Sequence, residues 1–151
     1  MLSYSAPLTL QPLTSKTKSS SPKRPNILAV DDAKAVRLIA HKILSAFDCD
    51  VSEATNGFNA LFAMEKLLPD LILLDVNMPI MSGLEMLTML KSKPALKKIP
   101  VIILASPADH AVMPEIKALG VNGILMKPFK ETALLEIILG VLDLKPAASG
   151  K

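Results

Sequence analysis

Leu71-Ile72-Leu73-Leu74 runs without a polar residue into Asp75, and the chain then turns at Asn77-Met78-Pro79. A short aliphatic run bounded by turn residues marks a strand buried on both faces. Ile27-Leu28-Ala29-Val30 and Val101-Ile102-Ile103-Leu104 repeat the pattern. In an open parallel sheet, ligands bind beyond the carboxyl ends of the strands. Asp75 therefore falls where an α/β domain builds its chemistry. A lone Asp before a turn also serves as a helix cap, so the other strand ends decide its role.

Between these runs the apolar spacing changes from strand to helix. Val36, Ile39, Ala40, Ile43, Leu44 and Phe47 recur at i, i+3, i+4 intervals after the first strand. Residues 49–54 read as a shorter, more polar strand near a sheet edge, closed by Thr55-Asn56-Gly57. A second helix is predicted over 58–68, stopped by Pro69. A third spans 83–91 with Leu84, Met86, Leu87 and Leu90. The lysine-rich stretch 91–98 reads as a solvated loop. A fourth helix covers 112–119, ended by Gly120. Ile124-Leu125-Met126 forms a fifth strand before Lys127-Pro128-Phe129, and a last helix is predicted over 131–144. Five strands alternating with five helices define right-handed βαβ units. The expected fold is a doubly wound five-stranded parallel sheet flanked by five helices.

The chain's 151 residues suffice for one domain with a full core. Only 3% are aromatic, so that core must be aliphatic. Residues 1–25 are rich in Ser, Thr, Pro and Lys and carry Lys16, Lys18, Lys23 and Arg24 with no acid. They lack the apolar surface to offset ordering entropy and read as a disordered basic arm. The arm has no apolar signal-peptide core, and its one Arg fits an organelle transit peptide poorly. The folded unit is expected over 26–144, with a short tail over 145–151. Outside the arm, 13 basic residues face 14 acidic ones, so nothing calls for direct DNA binding by the domain. The single Cys49 excludes an internal disulfide and suits a reducing, cytoplasmic setting. No apolar run approaches a membrane span.

Parallel strands bring their carboxyl ends to one rim. Asp31-Asp32, Asp75 and Lys127 therefore converge from strands far apart in sequence. Carboxylates in one site repel unless a cation neutralises them. With oxygen donors and no His or Cys, that cation is a hard one, most simply Mg²⁺; Asn77 offers a further carbonyl. A lysine in the same cleft can hold an incoming anion. A carboxylate flanked by a metal and an ammonium is a nucleophile suited to phosphorus. The competing reading makes these groups helix caps and a stabilising ion pair, which would suit a single strand-end charge better than four.

Residues 25–144 resemble the receiver domain of two-component response regulators, the CheY-like, flavodoxin-type fold. Val30-Asp31-Asp32 with Arg37 downstream, Leu74 through Gly83 (LDVNMPIMSG), Pro100-Val101-Ile102-Ile103-Leu104 and Lys127-Pro128-Phe129 carry the resemblance. It implies that Asp75 takes a phosphoryl group from a sensor histidine kinase or phosphotransfer protein. It further implies Mg²⁺ held directly by Asp32 and Asp75, through water by Asp31 and by the Asn77 backbone carbonyl. Lys127 would contact the phosphate, and the Lys127–Pro128 peptide bond would be cis.

Two positions depart from the family pattern. The residue after the fourth strand, usually Thr or Ser, aligns with Ala105; Ser106 stands one place later. The aromatic switch residue aligns with Ile124. The missing hydrogen bond to a charged phosphoryl oxygen would weaken the active state by ~1.5–3 kcal/mol. Three functions follow from these residues: a stand-alone phosphoacceptor, an interaction module that signals without phosphorylation, and a phosphohydrolase. The last is disfavoured because Asn77, not a carboxylate, stands two residues after Asp75.

The last helix carries two apolar stripes. Leu134, Ile137, Ile138 and Val141 are expected to cover the sheet. Leu135, Leu139 and Leu142 are expected to meet a second copy or a downstream target protein. With seven residues after Leu144, output is expected through protein contact. His41, His110 and Cys49 each read as isolated, with solvated or packed roles.

Overall fold

A computed structural model of the chain describes residues 24–147. Five strands, β1 (Asn26–Val30), β2 (Asp50–Ala54), β3 (Leu71–Asp75), β4 (Val101–Ala105) and β5 (Gly123–Met126), form one sheet. All pairings are parallel, and the order is β2-β1-β3-β4-β5. The helices are α1 (Lys34–Leu44), α2 (Gly57–Lys66), α3 (Gly83–Ser92), α4 (Met113–Leu119) and α5 (Glu131–Val141). The expected fold class is the one observed. Most of the basic arm, residues 1–23, and the tail residues 148–151 lie outside the described residues.

Period-two alternation divides the strands between two aliphatic layers. Leu28, Val30, Ile72, Leu74 and Ile103 pack under α2, α3 and α4, against Ala60, Met64, Met86, Leu87, Leu90 and Ile116. Ile27, Ala29, Leu71, Leu73, Ile102 and Leu104 face α1 and α5, against Ala40, Leu44, Leu134 and Ile138. β1, β3 and β4 are buried along their whole length, which is why they read as unbroken apolar runs. β2 lies at the sheet edge, and its burial is mixed. No helix among the described residues is long and apolar enough to cross a membrane.

Several features differ from the sequence reading. α5 stops at Val141, and Leu142 turns to an extended conformation. Burial of Leu144 draws the following backbone across the α1–β2 connection. There the Asp48 N–H donates to the Lys145 carbonyl (2.8 Å) and the Ala147 N–H to the Ala46 carbonyl (2.8 Å). The stretch 91–98 is more than a solvated loop. α3 continues through Ser92, and Leu96 and Ile99 pack on the core below the turns that follow. The second stripe of α5 is largely absorbed by the fold, because α1 lies beside it on the same sheet face. Leu135 and Leu142 pack into that layer, leaving Leu139 exposed at 41%.

A capping box starts α3 directly after the β3 loop. The Glu85 N–H donates to Ser82 Oγ (3.2 Å), and the Ser82 N–H to Glu85 Oε1 (2.9 Å). Ser82→Ala removes one half of it and is expected to cost about 1 kcal/mol, measurable as a lowered urea midpoint with an unchanged slope.

Candidate functional site

β1 and β3 are adjacent, and each ends in acid at the same rim of the sheet. β4 ends beside them at Ala105, and β5 delivers Lys127 one residue past its end. The strand order reverses between β1 and β3, the switch point at which doubly wound sheets form their crevice. Asp31, Asp32 and Asp75 each bring a carboxylate oxygen within 4.8 Å of the others. Asp31 and Asp75 are buried, whereas Asp32 is exposed.

Lys127 ties the cluster together. Its Nζ donates to Asp31 Oδ2 (2.8 Å) and to Asp75 Oδ1 (3.0 Å). Backbone groups hold the same acids: Ala33 N–H donates to Asp31 Oδ1 (2.8 Å), and Val76 N–H to Asp75 Oδ1 (2.9 Å). Among the described residues, no hydrogen bond reaches Asp75 Oδ2. The Lys127–Pro128 peptide bond is cis, as the resemblance implied.

One ammonium does not balance three carboxylates. Burial pushes the Asp75 carboxyl up, the Asp31 carboxylate pushes it further, and Lys127 only partly offsets them; the result is about 6, against an ordinary 3.8. Burial acts to lower the Lys127 ammonium, yet its hydrogen bonds to Asp31 and Asp75 prevail and its pKa is raised. The lysine therefore stays charged. An all-oxygen donor set with surplus negative charge fits a hard divalent cation such as Mg²⁺. Asn77 is exposed on the loop after β3, and its backbone carbonyl accepts no hydrogen bond from the described residues.

Ala105 is fully buried at the end of β4, and its carbonyl accepts from the Lys127 N–H (2.6 Å). No hydroxyl stands at that position. Ser106 follows it. Its N–H is bound by Asp109 Oδ2 (2.7 Å), which starts the 3-10 turn Pro107–Val112. Ser106 lines a cleft between that turn, α4 and β5 together with Ile124 and Met126. Among the described residues it makes no hydrogen bond to Asp31, Asp75 or Lys127.

Other contacts were not legible in the linear pattern. Arg37 Nη1 donates to the Asp31 carbonyl (2.8 Å), and Arg37 Nε to Glu53 Oε1 (2.6 Å). His41 Nε2 lies 2.7 Å from Glu53 Oε2. His41 is therefore not isolated; α1 and the edge strand β2 share a bridge centred on Glu53. The Arg37 hydrogen bond leads in holding the Glu53 carboxyl below its ordinary value. Ile80, at the tip of the β3–α3 loop, has φ 69°, an uncommon conformation for a β-branched residue. The loop is closed there by Met81 N–H donating to the Pro79 carbonyl (2.7 Å).

Fold and site together define a doubly wound domain with an acidic, lysine-bound pocket at its switch point. The chain belongs to the response regulator receiver domain family, whose sequence model matches residues 27–139. Protein PilG of Pseudomonas aeruginosa is 32% identical over 112 residues, spanning 74% of this chain and 83% of that protein. Chemotaxis protein CheY-3 of Vibrio cholerae is 33% identical over 115 residues, spanning 76% and 88% respectively. The solved structure of chemotaxis response regulator CheY4 of Vibrio cholerae matches with a TM-score of 0.72 at 32% identity. The match covers 80% of this chain and 100% of that one. The family is one of signalling modules rather than classical enzymes.

Proposed function

We propose that the chain is a phosphoacceptor that takes a phosphoryl group on Asp75 from a histidine kinase or phosphotransfer protein and signals by protein contact. The observation that carries this reading is the junction of Asp75 with Asp31, Asp32 and Lys127 at one strand rim. Asp75 Oδ2, free of hydrogen bonds among the described residues, supplies the electron pair. As it bonds to phosphorus, the donor's phosphorus–nitrogen bond breaks and its imidazole keeps the bonding pair. Lys127 is already charged and within reach of the equatorial oxygens once they enter the pocket, so its stabilisation needs little reorganisation. Asp32 and Asp75 would hold Mg²⁺ directly, with Asp31 acting through water and Asn77 through its carbonyl. Bound there, the ion would neutralise the carboxylates and the incoming phosphoryl charge.

Incubation with phosphoramidate and Mg²⁺ is expected to add one phosphoryl group, read by intact-protein mass. Chelation of Mg²⁺ or the substitution Asp75→Asn should abolish the addition. Labelling of Asp75→Asn at the wild-type level would overturn the assignment.

Ala105 and Ile124 favour a second reading, an interaction module whose surface responds weakly to phosphorylation. Ala105→Thr restores a hydroxyl at the buried end of β4. By the ~1.5–3 kcal/mol of a charge-assisted hydrogen bond, it is expected to raise the response to beryllofluoride by about tenfold or more. The response is read as the population of the shifted conformer in two-dimensional NMR. A strong wild-type response that Ala105→Thr leaves unchanged would exclude this second reading.

A further inference from the structure

Exposed apolar surface concentrates on α2 and α3, not on α5. Of the nine large hydrophobic residues exposed among the described residues, Phe58, Phe62, Leu67, Leu68 and Met89 lie on or immediately after these two helices. Phe58 and Phe62 are 59% and 57% exposed at i, i+4 spacing, so both point from one side of α2. Beside them a groove of about 480 Å³ runs between the helices, floored by Leu61, Met64, Met89 and Leu96 and rimmed by Glu65 and Lys93. Methionine and exposed aromatic side chains are the residues that adaptable binding surfaces favour.

Glu65 and Lys93 balance each other on the rim, but the exposed surface beyond the groove is basic. α2 and α3 both descend from the carboxyl rim of the sheet, so their last turns lie together at the opposite edge. Lys66, Lys93, Lys97 and Lys98 are exposed there, and Glu65 is the exposed acid among them. Lys66 Nζ stands 5.2 Å from the Phe62 ring centroid, which places a cation against the apolar face.

We infer that the α2–α3 groove docks an acidic amphipathic helix of a partner protein, with apolar anchors in the groove and carboxylates toward the lysines. The groove lies between helices and offers no free strand edge, so recognition rests on side chains, as in helix-in-groove binding. Charge excludes the occupants supplied by this chain. A second copy joined through the same patch would set these lysines against their equivalents. The arm carries Lys16, Lys18, Lys23 and Arg24, of the same sign. The inference is independent of phosphorylation at Asp75.

The test uses the full chain and a fluorescein-labelled helical peptide of about 18 residues, with Leu at i, i+3, i+4 and i+7 and Glu on the other face. Fluorescence anisotropy is expected to show saturable binding that Met89→Glu and Lys93→Glu each weaken about tenfold, with melting by circular dichroism verifying that both variants fold. Lys93→Glu/Lys97→Glu is expected to prefer the equivalent peptide carrying Lys in place of Glu. Absence of saturable binding, or indifference to Met89→Glu or to reversal of the peptide's charge, would overturn the inference. So would self-association of the free protein that Met89→Glu abolishes, or sedimentation with phosphatidylserine vesicles in place of peptide binding.

Discussion

Asp75→Asn is expected to raise the stability of the metal-free protein at neutral pH by about 1–3 kcal/mol while removing its phosphoryl acceptor. A carboxyl near 6 in the folded chain, against an ordinary 3.8, binds its proton more tightly when folded than when unfolded. The folded state therefore gains stability from protonation below about pH 4, loses it progressively as pH rises to about 6, and gains nothing from it above. At about 1.4 kcal/mol per tenfold change in proton affinity, the full cost of ionising Asp75 is about 3 kcal/mol. Asparagine avoids that cost and retains an oxygen that can accept from Lys127 and from Val76. The lower end of the range allows for the weakened attraction to Lys127. Urea denaturation of both proteins in chelator, from pH 4 to 8, should show the gap opening between pH 4 and 6 and level thereafter. Saturating Mg²⁺ should close it from the wild-type side, by about 2.7 kcal/mol at a hundred times Kd. A gap of constant size across this range would show that the buried carboxylate is not its cause.

Gly83→Ala is expected to destabilise the chain by about 3 kcal/mol or more and to impair labelling of Asp75. In the first turn of a helix, alanine ordinarily improves on glycine by up to about 1 kcal/mol. Here the sign reverses. A Cβ at position 83 would collide with the Asp75 carbonyl oxygen and stand 2.9 Å from Val76 Cα. Both are backbone, and β3 is hydrogen-bonded to strands on either side. The helix cannot retreat freely either, because the Gly83 N–H donates to the Val76 carbonyl (2.8 Å). Overpacking usually costs about 1–3 kcal/mol, and contact with fixed backbone belongs at or above that limit. Thermal unfolding and phosphoramidate labelling of this variant measure the two effects separately. A variant as stable as the wild type would mean that α3 can move away from the loop that carries the site.

The pattern Leu74-Asp75-Val76-Asn77-Met78-Pro79 was legible as strand, acid and turn, but the need for glycine at 83 was not. That need comes from how closely α3 passes over the end of β3. The bridge of Arg37 and His41 to Glu53 was equally illegible: two belong to a helix and one to an edge strand, and only the docking of α1 beside β2 brings them together. The second stripe of α5 looked like an interface because its leucines could be counted, whereas the helix that covers Leu135 and Leu142 could not. Free apolar surface lies on α2 and α3 instead, where Phe58 and Phe62 stand on the side of the helix turned from the sheet.

By itself, the sequence determined the fold class and the members of the acidic pocket. Local periodicity selects helix or strand, and right-handed parallel crossovers then bring every strand's carboxyl end to one rim. The same crossovers place Asp31, Asp32, Asp75 and Lys127 together on that rim. Tertiary structure alone decided the quantities that depend on depth and neighbours. Asp75 is buried deeply enough to hold its proton near pH 6, Ser106 is held by Asp109 at the start of the 3-10 turn, and the tail after Val141 is pinned to the α1–β2 connection. Burial and hydrogen bonding are properties of the packed chain, set by residues tens of positions apart, and no local pattern encodes them.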